Sequence, residues 1–180
     1  LVAVTTLWGD IAVLELLLPL AVGARVVLAA AAQVHDPHAL RELIARERAT
    51  VMQATPTLWR MLLDAGWGRP DGVPHFKALI GGEPLPAALA ERLLAGGVEL
   101  WNMYGPTETT VWSSVLRVSA PRDGISIGRP IDNTHIQVRE ADGQMCPIGV
   151  PGELCIGGAG VALGYQRRDE LTADRFGPDL

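Results

Sequence analysis

The chain has 180 residues, of which 48% are hydrophobic and 5% aromatic. This composition suits one folded domain or part of a larger one. The formal net charge is -5, and Lys77 is the single lysine. A nucleic-acid-binding protein usually carries a basic patch, so the charge pattern argues against that class.

Residues 11–32 are apolar, but Glu15, Pro19 and Arg25 interrupt them. A membrane span needs roughly 20 mostly uncharged apolar residues, so we expect no membrane partner. Cys146 and Cys155 have no zinc-binding spacing, and two free thiols are typical of a reducing cytoplasm. The chain starts without Met and with no basic leader, and we expect both ends to be cuts in a longer cytoplasmic protein.

Helices and strands alternate in the first two thirds of the chain. Asp36 followed by Pro37 is a favoured helix start, and the pair Gly96-Gly97 a favoured helix end. Apolar spacing and these signals predict helices at 11–21, from Pro37 onward, at 56–63 and at 86–95, and strands at 25–29, 50–54, 77–80 and 98–103. This order is typical of an α/β fold in which helices flank a mostly parallel sheet.

No helix is predicted after Tyr104. Strands are predicted at 111–118, 135–139 and 153–156, and the dipeptide Asp142-Gly143 favours a hairpin turn. The last third is therefore expected to be antiparallel and barrel-like. We divide the chain into an α/β portion, 1–118, and a β-rich portion of the same domain, 119–180.

The segment 102–110, which reads NMYGPTETT, carries the clearest chemistry. Gly105-Pro106 permits a tight turn, and the hydroxyl of Thr107 and the carboxylate of Glu108 suit a phosphate and its Mg²⁺. Tyr104 offers a flat face for a base. Ligands of α/β sheets bind beyond the carboxyl ends of strands, where this segment follows one. On composition alone, a plain surface turn remains the alternative.

Residues 102–108 resemble the NxYGPTE motif of nonribosomal peptide synthetase adenylation domains. Residues 152–165, GELCIGGAGVALGY, with 170–176, ELTADRF, resemble the motif GELxIxGxGxARGYxxxPELTxxRF, and 10–20, DIAVLELLLPL, resembles FDxSxxELxxPL. The three occur in the order and spacing of that family and cover nearly the whole chain. The resemblance implies an internal piece of the large N-terminal subdomain of an adenylate-forming enzyme.

The resemblance also implies site residues and cofactors. ATP would bind with its adenine on Tyr104, its α-phosphate at Thr107, and Mg²⁺ on Glu108; Thr107 and Glu108 would be catalytic. The remaining nucleotide-binding positions would be Gly82, Glu83, Asn102 and Gly105. The activated amino acid would then pass to phosphopantetheine on a carrier protein, with carrier and condensation domains in the same synthetase.

Nine positions match the amino-acid pocket of that family. Asp10 is the only charge among them and would pair with the α-ammonium group. Several of the others are bulky, which predicts glycine, or failing that alanine, as the substrate. The full set is Asp10, Ile11, Leu14, Gln53, Leu79, Gly81, Met103, Val111 and Trp112.

Three residues depart from the family pattern. Gly9 stands where Phe is usual, Trp8 where a small residue is usual, and Leu163 where Arg is usual. The wall beside Asp10 is therefore expected to differ from that of other members.

The fragment itself is expected to be inactive. The phosphate loop of the family would precede Leu1, its catalytic lysine would follow Leu180, and Lys77 is no substitute. Two alternatives remain open: a stand-alone acyl- or aryl-CoA ligase, and a non-catalytic interaction module. Asp10 argues against the first, and Thr107 with Glu108 argues against the second.

Overall fold

The computed structural model describes residues 1–121 and 124–178. Within them, one sheet has the strands β1 (Val2–Ala3), β2 (Val27–Leu28), β3 (Val51–Ala54), β4 (Lys77–Ile80), β5 (Glu99–Tyr104), β6 (Ser114–Val118) and β7 (Arg129–Pro130). A second sheet pairs β8 (Thr134–Arg139) with β9 (Glu153–Gly158). The helices are α1 (Ile11–Ala21), α2 (Ala31–Val34), α3 (Pro37–Arg46), α4 (Pro56–Asp64), α5 (Ala87–Ala95) and α6 (Asp169–Arg175).

The first sheet has the strand order β2-β1-β3-β4-β5-β6-β7. Strands β1 to β5 run parallel to one another, whereas β6 pairs antiparallel with β5, and β7 antiparallel with β6. The helices α1 and α3 to α5 follow the predicted positions. The predicted α/β class, with a mostly parallel sheet and a separate antiparallel sheet, is confirmed.

The core lies between the sheet and helices α3, α4 and α5, whose inward faces carry apolar side chains at helical spacing. An aromatic cluster anchors one end of it. Trp59, Trp67 and Phe76 meet edge to face with ring centroids 5.1 to 6.2 Å apart, an arrangement that aromatic rings prefer. This packing holds the strands whose carboxyl ends carry the predicted site.

Local signals place the helix starts. The side chain of Asp36 accepts hydrogen bonds from the backbone N–H groups of His38 and Ala39 and caps α3, as predicted. Thr55 caps α4 in the same way, through Leu58. Both helices have proline in the first turn, where its missing N–H leaves no bond unmade.

Glu15 ties α1 to the end of β1. Its side chain is fully buried, and its Oε2 accepts hydrogen bonds of 3.0 Å from the backbone N–H groups of Val4 and Thr5. Burial raises the pKa of the Glu15 carboxyl, and these hydrogen bonds act in the opposite direction. The contact fixes the loop that leads from β1 to Asp10.

Some expectations after Tyr104 were wrong. A 3₁₀ turn, Thr107–Thr109, follows β5, and α6 closes the described chain, although no helix was predicted there. The strand predicted from Val111 begins at Ser114, because Thr110 and Val111 have φ of 61° and 69°, outside the strand region.

The antiparallel part is a two-stranded sheet in the described residues, and no closed barrel forms there. The turn at Asp142-Gly143 lies within the connection between β8 and β9. Strand β7 pairs with β6, so the first sheet continues beyond the proposed division at 118/119. That division stays a prediction, and its second part includes 122–123 and 179–180, which lie outside the described residues.

Three further short elements were not predicted: β1, α2 and β7 have two to four residues each. Of the helices that the structure describes, none has the length and apolar character of a membrane span.

Candidate functional site

The predicted pocket residues meet at the carboxyl edge of the parallel strands. Gln53 lies near the end of β3 and pairs in register with Leu79 on β4, and Gly81 follows β4 directly. Met103 lies near the end of β5. The start of α1 packs against the same edge, where the backbone carbonyl of Ile11 accepts a hydrogen bond from Gln53. Ligand sites of α/β sheets form at this edge.

The indole ring of Trp112 packs directly on the backbone of Gly81. A Cβ added at Gly81 would lie 2.2 Å from Cη2 of Trp112 and 2.8 Å from the carbonyl oxygen of Met103. No side chain fits at that distance, so only glycine permits the ring to lie there. The indole therefore fills the space beside the backbone at the end of β4, among the predicted pocket residues.

A buried carboxamide fixes that indole. Gln53 is 1% exposed, and its Oε1 accepts a hydrogen bond of 3.0 Å from Nε1 of Trp112. Its Nε2 donates to the carbonyl of Ile11 at 3.4 Å. One side chain thus links α1, β3 and the segment before β6. A buried polar network of this kind is rigid when its members are paired.

The wall beside Asp10 is open. Asp10 starts α1 half-buried, and its side chain forms no helix-capping hydrogen bond. A Cβ at Gly9 would meet no atom nearer than 3.8 Å, and Trp8 is 97% exposed. Trp8 therefore does not fill the space that a larger residue at position 9 would occupy.

The other predicted pocket residues lie around this centre. Leu14 is one turn after Ile11 on α1 and half-buried, and Val111 precedes Trp112 and is buried. The carbonyl of Leu79 accepts a hydrogen bond of 3.3 Å from the indole of Trp59, which anchors β4 to α4.

The predicted nucleotide positions follow β4 and β5. Gly82 has φ of 81°, and its missing Cβ faces Ile11 and Thr55 at about 4 Å. The carboxylate of Glu83 accepts a hydrogen bond of 2.8 Å from the hydroxyl of Thr57. These contacts join the turn after β4 to both α1 and α4.

Asn102 is buried, and its side chain is held by a hydrogen bond to the backbone. Its Nδ2 donates to the carbonyl of Ser126 at 2.9 Å. Tyr104, the last residue of β5, is half-buried, and its carbonyl accepts a hydrogen bond from the N–H of Ser113. The base-stacking candidate is thus held at a strand end.

Gly105 permits the chain to turn back on itself. A Cβ there would lie 2.6 Å from Cα of Trp112 and from the carbonyl oxygen of Val111. The turn that carries Thr107 and Glu108 therefore begins against the segment that carries the pocket indole. The predicted nucleotide site and the predicted amino-acid pocket therefore meet where Gly105 contacts Val111 and Trp112.

Glu108 has a partner that sequence reasoning missed. The phenol of Tyr165 donates a hydrogen bond to its Oε1. This bond lowers the pKa of the Glu108 carboxyl and raises the pKa of the Tyr165 phenol. Tyr165 belongs to the second motif, but its contact spans 57 positions of the chain, and no local pattern signals it.

The 3₁₀ turn that carries Glu108 suits a metal ion that a bound phosphate also coordinates. Thr107 is exposed and Glu108 half-exposed in the 3₁₀ turn. Among residues 1–121 and 124–178, no three His, Cys, Asp or Glu residues gather to hold a metal. Mg²⁺ is commonly held by one or two carboxylates together with substrate phosphates, and one carboxylate suits that arrangement.

A cavity of about 810 Å³ opens beside this turn. Tyr104 and Glu108 line one side of it, strand β9 another, and Tyr165, Arg175 and Phe176 a third. Lys77, by contrast, lies at the amino end of β4 and is exposed. It is therefore at the opposite end of the strand from the predicted site.

Comparison with known proteins gives consistent results. Residues 1–166 match the family described as AMP-binding enzyme. The PKS-NRPS hybrid synthetase ATPKS of Aspergillus niger is 47% identical over 176 residues, which are 97% of this chain and 9% of that protein. The dimodular nonribosomal peptide synthase of Bacillus subtilis is 43% identical over 180 residues, 99% of this chain and 7% of that protein.

The fold also matches a solved structure. Holo-AB3403, a four-domain nonribosomal peptide synthetase crystallised with AMP and glycine, superposes with a TM-score of 0.90 at 44% identity. The match covers 98% of this chain and 13% of that one. The chain therefore spans a small part of the proteins that it resembles. It belongs to the AMP-binding enzyme family, as part of an adenylate-forming ligase of the kind found in nonribosomal peptide synthetases.

Proposed function

We propose that the chain contributes the amino-acid pocket and part of the ATP site of an enzyme that activates glycine as an aminoacyl-adenylate. A carboxylate oxygen of the amino acid attacks the α-phosphorus of ATP. The bond to the β-phosphate oxygen breaks, and pyrophosphate leaves. ATP is thus consumed as a substrate, and the product is a mixed anhydride of the amino acid and AMP.

The observation that carries the proposal is the position of Trp112. Its indole lies on Gly81, with its N–H held by Gln53, at the carboxyl edge where α/β enzymes bind substrates. A ring fixed in this way leaves little room for a side chain. The similar synthetase that was crystallised with AMP and glycine supports the same choice of substrate.

The charge at the start of α1 suits an amino acid. Asp10 is half-buried, and its carboxylate is available to pair with an α-ammonium group. A partly buried carboxylate gains from an opposite charge, because burial weakens its hydration. An aryl or fatty acid would leave this charge without a partner.

The nucleotide residues have separate tasks in this proposal. Tyr104 presents its ring to the adenine, and backbone groups of Gly82, Glu83 and Asn102 surround the base. The hydroxyl of Thr107 donates to the α-phosphate. Glu108 would hold Mg²⁺, which when bound neutralises charge on the phosphates.

The later step and the partners follow from the kind of protein. Phosphopantetheine on a carrier domain would take up the aminoacyl group as a thioester, releasing AMP. Carrier and condensation domains of the same synthetase are the proposed partners, in the cytoplasm. The relatives' names, which describe multidomain synthetases, support this context.

Exchange of pyrophosphate into ATP tests the substrate class. The full polypeptide is assayed with amino acids, aryl acids and fatty acids, and we expect exchange with amino acids alone. Asp10→Asn should lower it about 100-fold, because losing one partner of a buried charge pair costs about 2–5 kcal/mol.

Asp64→Asn is the matched control for that change. Asp64 forms a surface ion pair with Arg92, so its charge should contribute little. Stronger exchange with an aryl acid would favour the CoA-ligase alternative. If none of the tested acids supports exchange, the alternative of a non-catalytic interaction module is favoured.

The 180-residue chain alone should not catalyse exchange, because its single lysine, Lys77, lies away from the site. The purified chain is assayed beside the full polypeptide at equal concentration. Substrate-dependent exchange by the short chain would show that the described residues suffice for catalysis.

A further inference from the structure

Tyr165 connects the segment after the second sheet to the 3₁₀ turn that carries Glu108, here called the acidic turn. It lies between β9 and α6, and its phenol donates a hydrogen bond to Oε1 of Glu108. The proposed function gives Tyr165 no task. The contact is nonetheless a link between two of the three sequence motifs.

The chain holds Tyr165 on two sides. Its backbone N–H donates to Oγ1 of Thr172 on α6 at 2.9 Å. Its ring meets that of Phe176 edge to face, with centroids 5.4 Å apart. Gly164 has φ of 131°, and a Cβ there would lie 2.5 Å from Cγ2 of Thr172. Contacts with α6 and with the residue that follows it therefore restrict the orientation of the phenol.

The acidic turn is held by the same region. The N–H of Ala162 donates to the carbonyl of Glu108 at 2.8 Å, and the hydroxyl of Thr110 donates to the carbonyl of Gly160 at 2.6 Å. Both the backbone and the side chain of Glu108 are thus fixed by the segment before α6.

We propose that Tyr165 is a positioning residue that orients the Glu108 carboxylate toward Mg²⁺ of the bound nucleotide. This inference rests on the proposed function. The phenol occupies Oε1 and leaves Oε2 for the ion. Groups that hydrogen-bond to a metal ligand restrict its orientation, and their loss commonly lowers metal affinity 10- to 100-fold.

Metal binding, measured apart from catalysis, tests the role of Tyr165. Mn²⁺ is titrated into the full polypeptide with a non-hydrolysable ATP analogue, and free Mn²⁺ is followed by electron paramagnetic resonance. Tyr165→Phe should weaken Mn²⁺ binding about tenfold. In exchange assays, the same variant should need about tenfold more Mg²⁺ for half-maximal rate, while the rate at saturating Mg²⁺ stays within about threefold of wild type.

Thr134→Val is the control, since the hydroxyl that it removes lies on strand β8 and takes no part in the hydrogen bonds that Tyr165 and Ala162 donate to Glu108. It should bind Mn²⁺ as wild type does. A purely structural role for Tyr165 would lower the melting temperature and leave Mn²⁺ affinity of the folded protein unchanged, which would overturn the proposal.

A double-mutant cycle with Glu108→Gln separates this inference from the proposed function. Glu108→Gln alone should weaken Mn²⁺ binding, and adding Tyr165→Phe should weaken it no further, because both act through one carboxylate. Full additivity would overturn the positioning role. If wild type binds no Mn²⁺ with the nucleotide, the proposed function itself fails.

A second variant covers the case in which Tyr165→Phe does not fold. Thr172→Val keeps the phenol but removes the hydroxyl that accepts the N–H of Tyr165. It should weaken Mn²⁺ binding in the same direction by a smaller factor. Affinity equal to that of wild type would contradict the proposal.

Discussion

Gly81 has no side chain, and the indole of Trp112 fills the space beside it. The distance of 2.2 Å from an added Cβ to the ring makes the two residues interdependent. Gln53 then fixes the ring by accepting its N–H. The size of the proposed pocket therefore depends on a glycine, an indole and a carboxamide together.

Replacing Trp112 by Leu should widen the range of substrates. In wild type, the methyl group of bound alanine should be overpacked against the indole, and such overpacking costs about 1–3 kcal/mol. The smaller leucine side chain relieves it. The ratio of alanine-dependent to glycine-dependent exchange should rise roughly tenfold. The rates are measured on the full polypeptide at matched substrate concentrations.

Trp67→Phe is the control for that substitution. It removes an indole that packs on Phe76 at the amino end of β4, the end opposite Gly81. Its alanine-to-glycine ratio should match wild type. An unchanged ratio in Trp112→Leu would show that the indole does not limit the pocket.

The sequence alone placed these residues only by resemblance. Gln53 and Trp112 are 59 positions apart, so no local pattern predicts their hydrogen bond. The same holds for Glu108 and Tyr165. Pairing across such separations depends on strand order, and the nine pocket assignments and the nucleotide roles stay predictions until they are assayed.

Single elements were more accessible to prediction, where local chemistry decides them. Asp36 and Pro37 mark the start of α3 through bonds made within three residues. Asp169 and Glu170 in the first turn of α6, and Arg175 in the last, match the helix dipole in the same way. That signal was present for α6, although no helix was predicted after Tyr104.

Removing the cap of α3 should loosen its first turn. Asp36→Ala loses two hydrogen bonds to backbone N–H groups and should cost about 1 kcal/mol of local stability. This corresponds to roughly fivefold faster hydrogen exchange at the amides of His38 and Ala39. Mass spectrometry of peptides from 36–46 measures it in the full polypeptide.

Asp36→Asn keeps an acceptor oxygen at the same position and should exchange nearly as wild type does. Equal exchange in the alanine variant would mean that proline and packing alone fix this helix start.

The short elements could not be predicted because tertiary pairing creates them. Strand β1 has two residues, and its pairing with β2 and β3 defines it. Strand β7 exists through its bonds to β6. At Thr110 and Val111, the positive φ angles follow from the tight return of the chain past Gly105. None of these has a periodic pattern of its own.

At the scale of the whole molecule, the parallel strand order gathers distant segments. Strands β3, β4 and β5 end together, so residues near positions 53, 81 and 103 share one edge of the sheet. The start of α1 adds Ile11 and, directly before the helix, Asp10. The segment between β9 and α6 adds Tyr165 beside Glu108. The fold thereby places the predicted amino-acid pocket next to the turn that is proposed to bind the nucleotide.

The amino-acid preference of the pocket at this edge tests the proposed function most directly. Amino-acid-dependent exchange of pyrophosphate into ATP is measured on the full polypeptide with all twenty amino acids. We expect glycine to give the highest rate, alanine a lower one, and large or charged residues rates near background, since overpacking costs about 1–3 kcal/mol. A preference for leucine, phenylalanine or any charged amino acid over glycine would contradict it.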